Sequence, residues 1–161
     1  MDKLILLKAI LAALNDQHQQ AKAAVAQAHE AATHEENVAE NKYDTLGLEA
    51  AYLAHGLAVR ESEYQSDIIA FESLAKTVQS ERKIVSLGAF VEVIDEQERQ
   101  RAYFMGPAAG GLKVTTPNGT PFTVITAAAP LGQALSGRQP GDEVEVIIAG
   151  EKTYFEIVTV Q

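Results

Sequence analysis

The sequence predicts an α+β chain, in which a long N-terminal antiparallel α-helical coiled-coil hairpin precedes a small antiparallel β-sheet domain with one short helix. Three observations predict it. Apolar residues recur at 3,4 spacing through most of the first 80 positions. A polar, acid-rich stretch from Thr33 to Asp44 interrupts that spacing midway. Near Lys83 the period becomes two, as β-branched residues, Gly and Pro replace Ala, Glu and Gln.

Composition narrows the class. A chain of 161 residues with 47% apolar content folds, and it has length for one domain or two small units. The expected units are 1–80, the hairpin with an acidic tip, and 84–161, the sheet, with a boundary at Ser80 to Ile84. The absence of cysteine excludes disulfides, thiolate metal sites and thiol nucleophiles. A formal charge of −9 excludes broad binding to nucleic-acid phosphates, which needs clustered Lys and Arg. Met1 to Leu14 is apolar in stripes but contains Asp2 and Lys8 and has no small-residue cleavage site. It reads as neither a signal peptide nor a span, so the expected location is cytoplasmic, away from membranes.

In the first helix the seam runs Leu4, Leu7, Leu11, Leu14, His18, Ala21, Val25, Ala28 and Ala32. Over Lys3 to His34 such a helix is about 45 Å long, too long for a small globule. The second seam runs Leu46, Ala50, Leu53, Leu57, Arg60, Tyr64, Asp67, Phe71, Leu74 and Val78, with Ile68 as the alternative to Asp67. Antiparallel pairing sets Leu4 near Phe71 to Val78 and Ala32 near Leu46 to Ala50, so the bulky residues meet at the base and the Ala-rich end is slim. Gly47 and Gly56 each weaken the second helix by roughly 1 kcal/mol relative to Ala. Close approach to the Ala-rich face is the preferred explanation for both.

Beyond the boundary the expected strands are Phe90 to Ile94, Arg101 to Met105, Gly111 to Thr115, Phe122 to Thr126, Glu143 to Ile148 and Tyr154 to Val160. Asn118-Gly119 signals a hairpin turn. Pro130 to Leu135 reads as a short helix, with Pro in its first turn and Gly137 just past its end.

Few residues suggest chemistry of their own. His29-Glu30 followed by His34 imitates a zinc-protease helix, but zinc ligation needs histidines at i and i+4, and five residues at ~100° each leave these about 140° apart. His18 sits at a seam position and reads as a register-setting polar residue; His55 has no supporting cluster. Gly106 to Gly111 lacks the Lys-Ser/Thr and helix start of a phosphate loop and reads as a turn. Asn118-Gly119-Thr120 matches a glycosylation sequon but is also a turn. The tip carboxylates Glu35, Glu36, Glu40 and Asp44 have two readings: a distal probe, or acids at a helix N-terminus, where Thr33 with Glu36 and Asn37 with Glu40 form capping pairs.

Three motifs in the second half bear on the choice: Leu87-Gly88-Ala89-Phe90-Val91-Glu92-Val93, Ala129-Pro130-Leu131-Gly132-Gln133-Ala134-Leu135-Ser136-Gly137 and Gly141-Asp142-Glu143-Val144-Glu145-Val146. In this order, and with Glu40-Asn41-Lys42-Tyr43-Asp44 and Tyr52-Leu53 in the hairpin, they resemble the Gre family of bacterial transcript-cleavage and elongation factors. The resemblance implies a coiled-coil hairpin joined to an FKBP-like C-terminal domain. It implies that the hairpin enters the secondary channel of bacterial RNA polymerase while the C-terminal domain docks at the channel entrance. Pro130, Leu131, Leu135 and Gly137 then lie near the docking contact. The factor would have no catalytic residues of its own and at most stimulate the polymerase to cleave backtracked RNA. Contact with nascent RNA would be indirect, and the factor a monomer.

In that family an Asp-Leu-x-Glu-Asn tip supplies two acids that help hold the second catalytic Mg²⁺ of the polymerase and a water. Hard carboxylate oxygens suit that ion, and a second metal orients the attacking hydroxide. This chain departs from the pattern. Matching on Glu40-Asn41 places Asn37 at the first acidic position, and matching on Tyr43 places Glu36 there with Ala39 at the second. Glu36 and Glu40, one helical turn apart if the tip is helical, are the candidates to share the polymerase Mg²⁺; no cofactor is expected in the free protein. Binding is thus better supported than cleavage. Two rival readings stand beside it: a non-cleaving channel regulator, and an FKBP-like prolyl isomerase or chaperone with an aromatic pocket drawn from Phe90, Tyr103, Phe104, Phe122, Tyr154 and Phe155. A plain coiled-coil adaptor that dimerises through its seam is a third.

Overall fold

The computed structural model of the chain describes residues 2–33, 46–78 and 83–161. Its elements are α1 (Lys3–Thr33), α2 (Leu46–Thr77), β1 (Phe90–Asp95), β2 (Gln100–Gly106), β3 (Lys113–Thr115), β4 (Pro121–Thr126), α3 (Pro130–Leu135), β5 (Glu143–Ile148) and β6 (Glu151–Val160). They group into two compact units, Ala12–Ile68 and Met1–Leu11 with Ile69–Gln161.

Helix α1 begins at Asp2, whose carboxylate accepts the Leu4 N–H at 2.9 Å and whose carbonyl accepts that of Ile5 at 3.1 Å. This satisfies amide donors that have no partner within the helix. In the unit Ala12–Ile68, His18 Nε2 and Glu61 Oε1 lie 2.5 Å apart, joining the middle of α1 to the middle of α2 as the arms of a helical hairpin.

The seam differs from the expected one at alternate turns. On α2, Ala54 is 2% exposed and Leu53 is 60% exposed; Glu61 replaces Arg60, and Ile68 rather than Asp67 is buried. Small size wins over hydrophobicity at residue 54, because an Ala-rich interface needs a small residue where the helices meet. Arg60 turns outward instead, 4.5 Å from the Tyr64 ring centroid and 2.7 Å from Glu63. Partial burial pushes the Asp67 carboxyl above its ordinary range, against the pull of Arg60. On α1, Leu6 and Ile10 are fully buried, whereas Leu4 is half exposed. Gly56 also departs from expectation: an added Cβ would meet nothing within 4 Å among the described residues, so no packing contact there explains it.

In the other unit the strands form one six-stranded sheet of order β3-β4-β2-β1-β6-β5. Every neighbouring pair is antiparallel except β2 and β4, which run parallel. The expectation of an antiparallel sheet therefore fails at one pair. After β2 the chain crosses through Pro107 to Thr120, folding β3 back against β4 on the way, and so returns in its original direction. Strands β1 and β2 are buried on both faces. One face holds Val91, Val93, Tyr103, Met105, Ile125, Val144, Val146, Phe155 and Ile157, with Leu135 of α3 packed among them. On the opposite face Phe104 lies 6.4 Å from Phe71 of α2, and Phe90 meets Phe122 edge-on at 5.7 Å. Gly106 allows this approach, since a Cβ there would come within 2.8 Å of both Phe71 and Val124.

Candidate functional site

Helix α3 forms because Pro130 stands at its first turn, where a missing N–H costs nothing. It ends where the Ser136 hydroxyl donates to the Gly132 carbonyl at 2.7 Å and Gly137 takes a φ of +78°. The Gly137 N–H then donates to Val85 O, and the Val85 N–H to Arg138 O, both at 2.8 Å. The segment after α2 is thereby stitched to the α3 turn. Gly132 faces the end of β4 so closely that a Cβ would lie 1.9 Å from the Thr126 carbonyl oxygen. No other residue fits there.

These contacts divide the four residues that the sequence placed at a docking contact. Pro130 and Gly137 are exposed, Leu131 is half-buried against the core, and Leu135 is fully buried within it. The surface they leave is set by Ala127, Ala128, Pro130, Gln133, Gly137 and Arg138, all exposed. From Ala127 to Gly141 the one charged residue is Arg138, in a chain of net charge −9. Gly132 was read only as part of a motif. Its Pro-Leu-Gly setting, just after a strand, was the signal for a close backbone approach.

The tip acids Glu35, Glu36, Glu40 and Asp44, and with them the Glu36 and Glu40 pair assigned to Mg²⁺, lie outside the described residues. Among the described residues no group of three or more His, Asp or Glu could hold a metal ion. The most heavily hydrogen-bonded carboxylate described in the sheet unit belongs to the turn between β1 and β2. Asp95 accepts the backbone N–H groups of Gln97 and Arg99 at 3.0 Å each and the Arg99 guanidinium at 2.8 Å. Burial alone would raise its carboxyl, but these donors outweigh it and hold the group below the usual carboxylate range. The turn brings Glu98 to a φ of +58°.

A family model described as "Transcription elongation factor, GreA/GreB, C-term" matches residues 79–161, more than half of the chain. The chain belongs to the GreA/GreB family of transcription elongation factors. The matched part of this Gre-family chain takes in all six strands and α3; α1 and α2 precede it. Among solved structures, the chain is similar to the GreA factor homolog 1 protein of Thermus thermophilus at 20% identity, covering 94% of each chain with a TM-score of 0.38. It is also similar to a GreA/GreB elongation factor from Nitrosomonas europaea at 22% identity, covering 56% of this chain and 75% of that one with a TM-score of 0.37. No curated protein matches it at a comparable level.

Of the six aromatic residues assigned to an isomerase pocket, Phe90, Tyr103, Phe104, Phe122 and Phe155 are each buried, and only Tyr154 is exposed. On the seam that the adaptor reading invokes, His18 of α1 meets Glu61 of α2 in the same chain. Among the described residues, no helix is long and apolar enough to cross a membrane.

Proposed function

We propose that this Gre-family factor binds bacterial RNA polymerase, docking through the α3 surface around Pro130 and Gly137 and placing the helical hairpin in the secondary channel. The observation that carries this reading is the joining of a family-matched sheet unit to two helices of nearly equal length, 31 and 32 residues. Leu131 and Leu135 act from beneath, by holding α3 in place, and Arg138 supplies a charge at the contact. Channel occupancy is the activity assigned, because neither register of the tip supplies the two acids of the family pattern. The second reading, stimulation of cleavage of backtracked RNA, is favoured by the presence of Glu36 and Glu40 four residues apart in the sequence; their carboxylates would help hold the polymerase Mg²⁺. RNA contact is indirect in either case.

The test uses full-length protein and core polymerase. Arg138→Glu with Gln133→Glu should weaken binding by about tenfold or more, the loss expected when like charge enters a contact. Glu36→Ala with Glu40→Ala should leave binding unchanged. Unchanged affinity in the α3 variant removes α3 as the docking surface. If the wild type cleaves backtracked RNA and the tip variant cleaves as well as it does, Glu36 and Glu40 have no part in the chemistry.

A further inference from the structure

The sheet carries a cleft of about 280 Å³ whose lining includes Arg101, Tyr103, Lys113, Pro121 and Thr123. Strand pairing explains why these side chains share a surface. Tyr103 is opposite Thr123 on the parallel β2–β4 pair, and Thr123 is opposite Lys113 on β3. Arg101 precedes Tyr103 by two residues and so projects from the same face. With neighbouring strands ~4.8 Å apart, the Lys113 and Tyr103 backbones are separated by about 10 Å with Thr123 between them. Lysine and arginine side chains bridge that span.

Tyr103 supplies a second observation. The residue is more than nine-tenths buried, its ring is part of the core, and the hydroxyl has no hydrogen-bond partner among the described residues. The hydroxyl is not one of the buried side-chain atoms without a partner, so it reaches the surface at the cleft, where it is open to an acceptor. Lys113 has no acidic partner among the described residues. Arg101 lies 3.5 Å from Asp95 Oδ2, but Arg99 Nε takes that same oxygen at 2.8 Å, which leaves most of the Arg101 donors free for another acceptor.

We propose that this cleft binds the phosphate group of a small molecule. Arg101 and Lys113 supply the charge, and the hydroxyls of Tyr103 and Thr123 donate to the remaining oxygens. Two cations and two hydroxyl donors match a tetrahedral dianion better than a carboxylate, which offers two oxygens. The volume is at the small end for ligand pockets, about 300–1,000 Å³, so the ligand is free phosphate or a compound little larger than a mononucleotide. The site is independent of the polymerase reading and lies on residues that reading does not use.

The experiment is a titration of the full-length protein with inorganic phosphate, and separately with adenosine monophosphate, at constant ionic strength, followed by amide NMR. Saturable shifts confined to Arg101, Tyr103, Lys113, Thr123 and their neighbours are expected. Arg101→Gln and Lys113→Gln should each weaken binding about tenfold, and Tyr103→Phe by somewhat less. Equal affinity for both compounds supports recognition of the phosphate alone; tighter binding of the nucleotide supports a nucleoside-bearing ligand. Absence of saturation with either compound, shifts reproduced by sodium chloride, or unchanged affinity in the Lys113→Gln variant overturns the proposal. Lys113 is exposed, so its variant carries the test even if Arg101→Gln disturbs the Asp95 turn.

Discussion

His18 on α1 and Glu61 on α2 meet at 2.5 Å with their side chains 13% and 24% exposed, a polar contact set into an otherwise Ala-rich seam. Such a pair contributes more to the choice of register than to net stability. His18→Ala and Glu61→Ala should each destabilise the protein by about 1 kcal/mol, with a coupling of roughly 0.5–1 kcal/mol in the double-mutant cycle. Urea unfolding of the four proteins measures it. Strict additivity would mean that the two side chains do not interact in solution.

Gly56 has no packing contact that a methyl group would disturb, so Gly56→Ala is expected to stabilise the protein by about 1 kcal/mol through helix propensity alone. Gly132→Ala should do the reverse and severely destabilise the sheet unit, since a Cβ there runs into the Thr126 carbonyl. Thermal unfolding of both variants checks the contrast. Loss of stability in Gly56→Ala would reveal a neighbour at that face.

The two-residue turn between β5 and β6 holds Ala149 at φ +51° and Gly150 at φ +86°. Both values suit the tight hairpin turn in which Asn-Gly is preferred, and alanine is a poor first residue there. Ala149→Asn should raise stability by roughly 0.5–1 kcal/mol with no change in function. A lower melting temperature would contradict it.

Asp95 gives a pH dependence. Its folded-state carboxyl is depressed, so its contribution to stability is fully present above the unfolded value, about 3.9, and is lost as pH falls through the folded value. Asp95→Asn should therefore be less stable than wild type at neutral pH, with the gap closing only below about pH 4. Unfolding curves at neutral and acidic pH decide it, and a gap of constant size across that range would rule the linkage out.

Much of the fold was legible because period and turn chemistry are local. Strand β5 and helix α3 coincide with their expected bounds, the latter because Pro130 and Gly137 mark both ends. What failed depends on contacts distant in sequence. Leu53 was preferred to Ala54 because hydrophobicity along one helix does not reveal how closely its partner approaches. Strand β6 begins at Glu151, three residues before the expected Tyr154, because Ala149-Gly150 lacks the Asn or Asp that signals a two-residue turn. Nothing in β2 or β4 alone announces that they pair in parallel. At the candidate site, Leu135 carried the right motif but not its depth. The cationic cleft was missed because Arg101 and Lys113 are separated by a strand crossing that only the pairing reveals.

The contact of Gly132 with the Thr126 carbonyl bears on how fast and how selectively α3 would meet the partner proposed for it. A helix seated directly on backbone cannot shift to suit what arrives, so the shape presented by Pro130 and Gly137 exists before the encounter. In the docking mode proposed above, the factor itself would need little ordering, and the speed of docking would be governed by collision and orientation rather than by rearrangement. The same rigidity works against partners of a different contour, because α3 has no alternative pose to offer them.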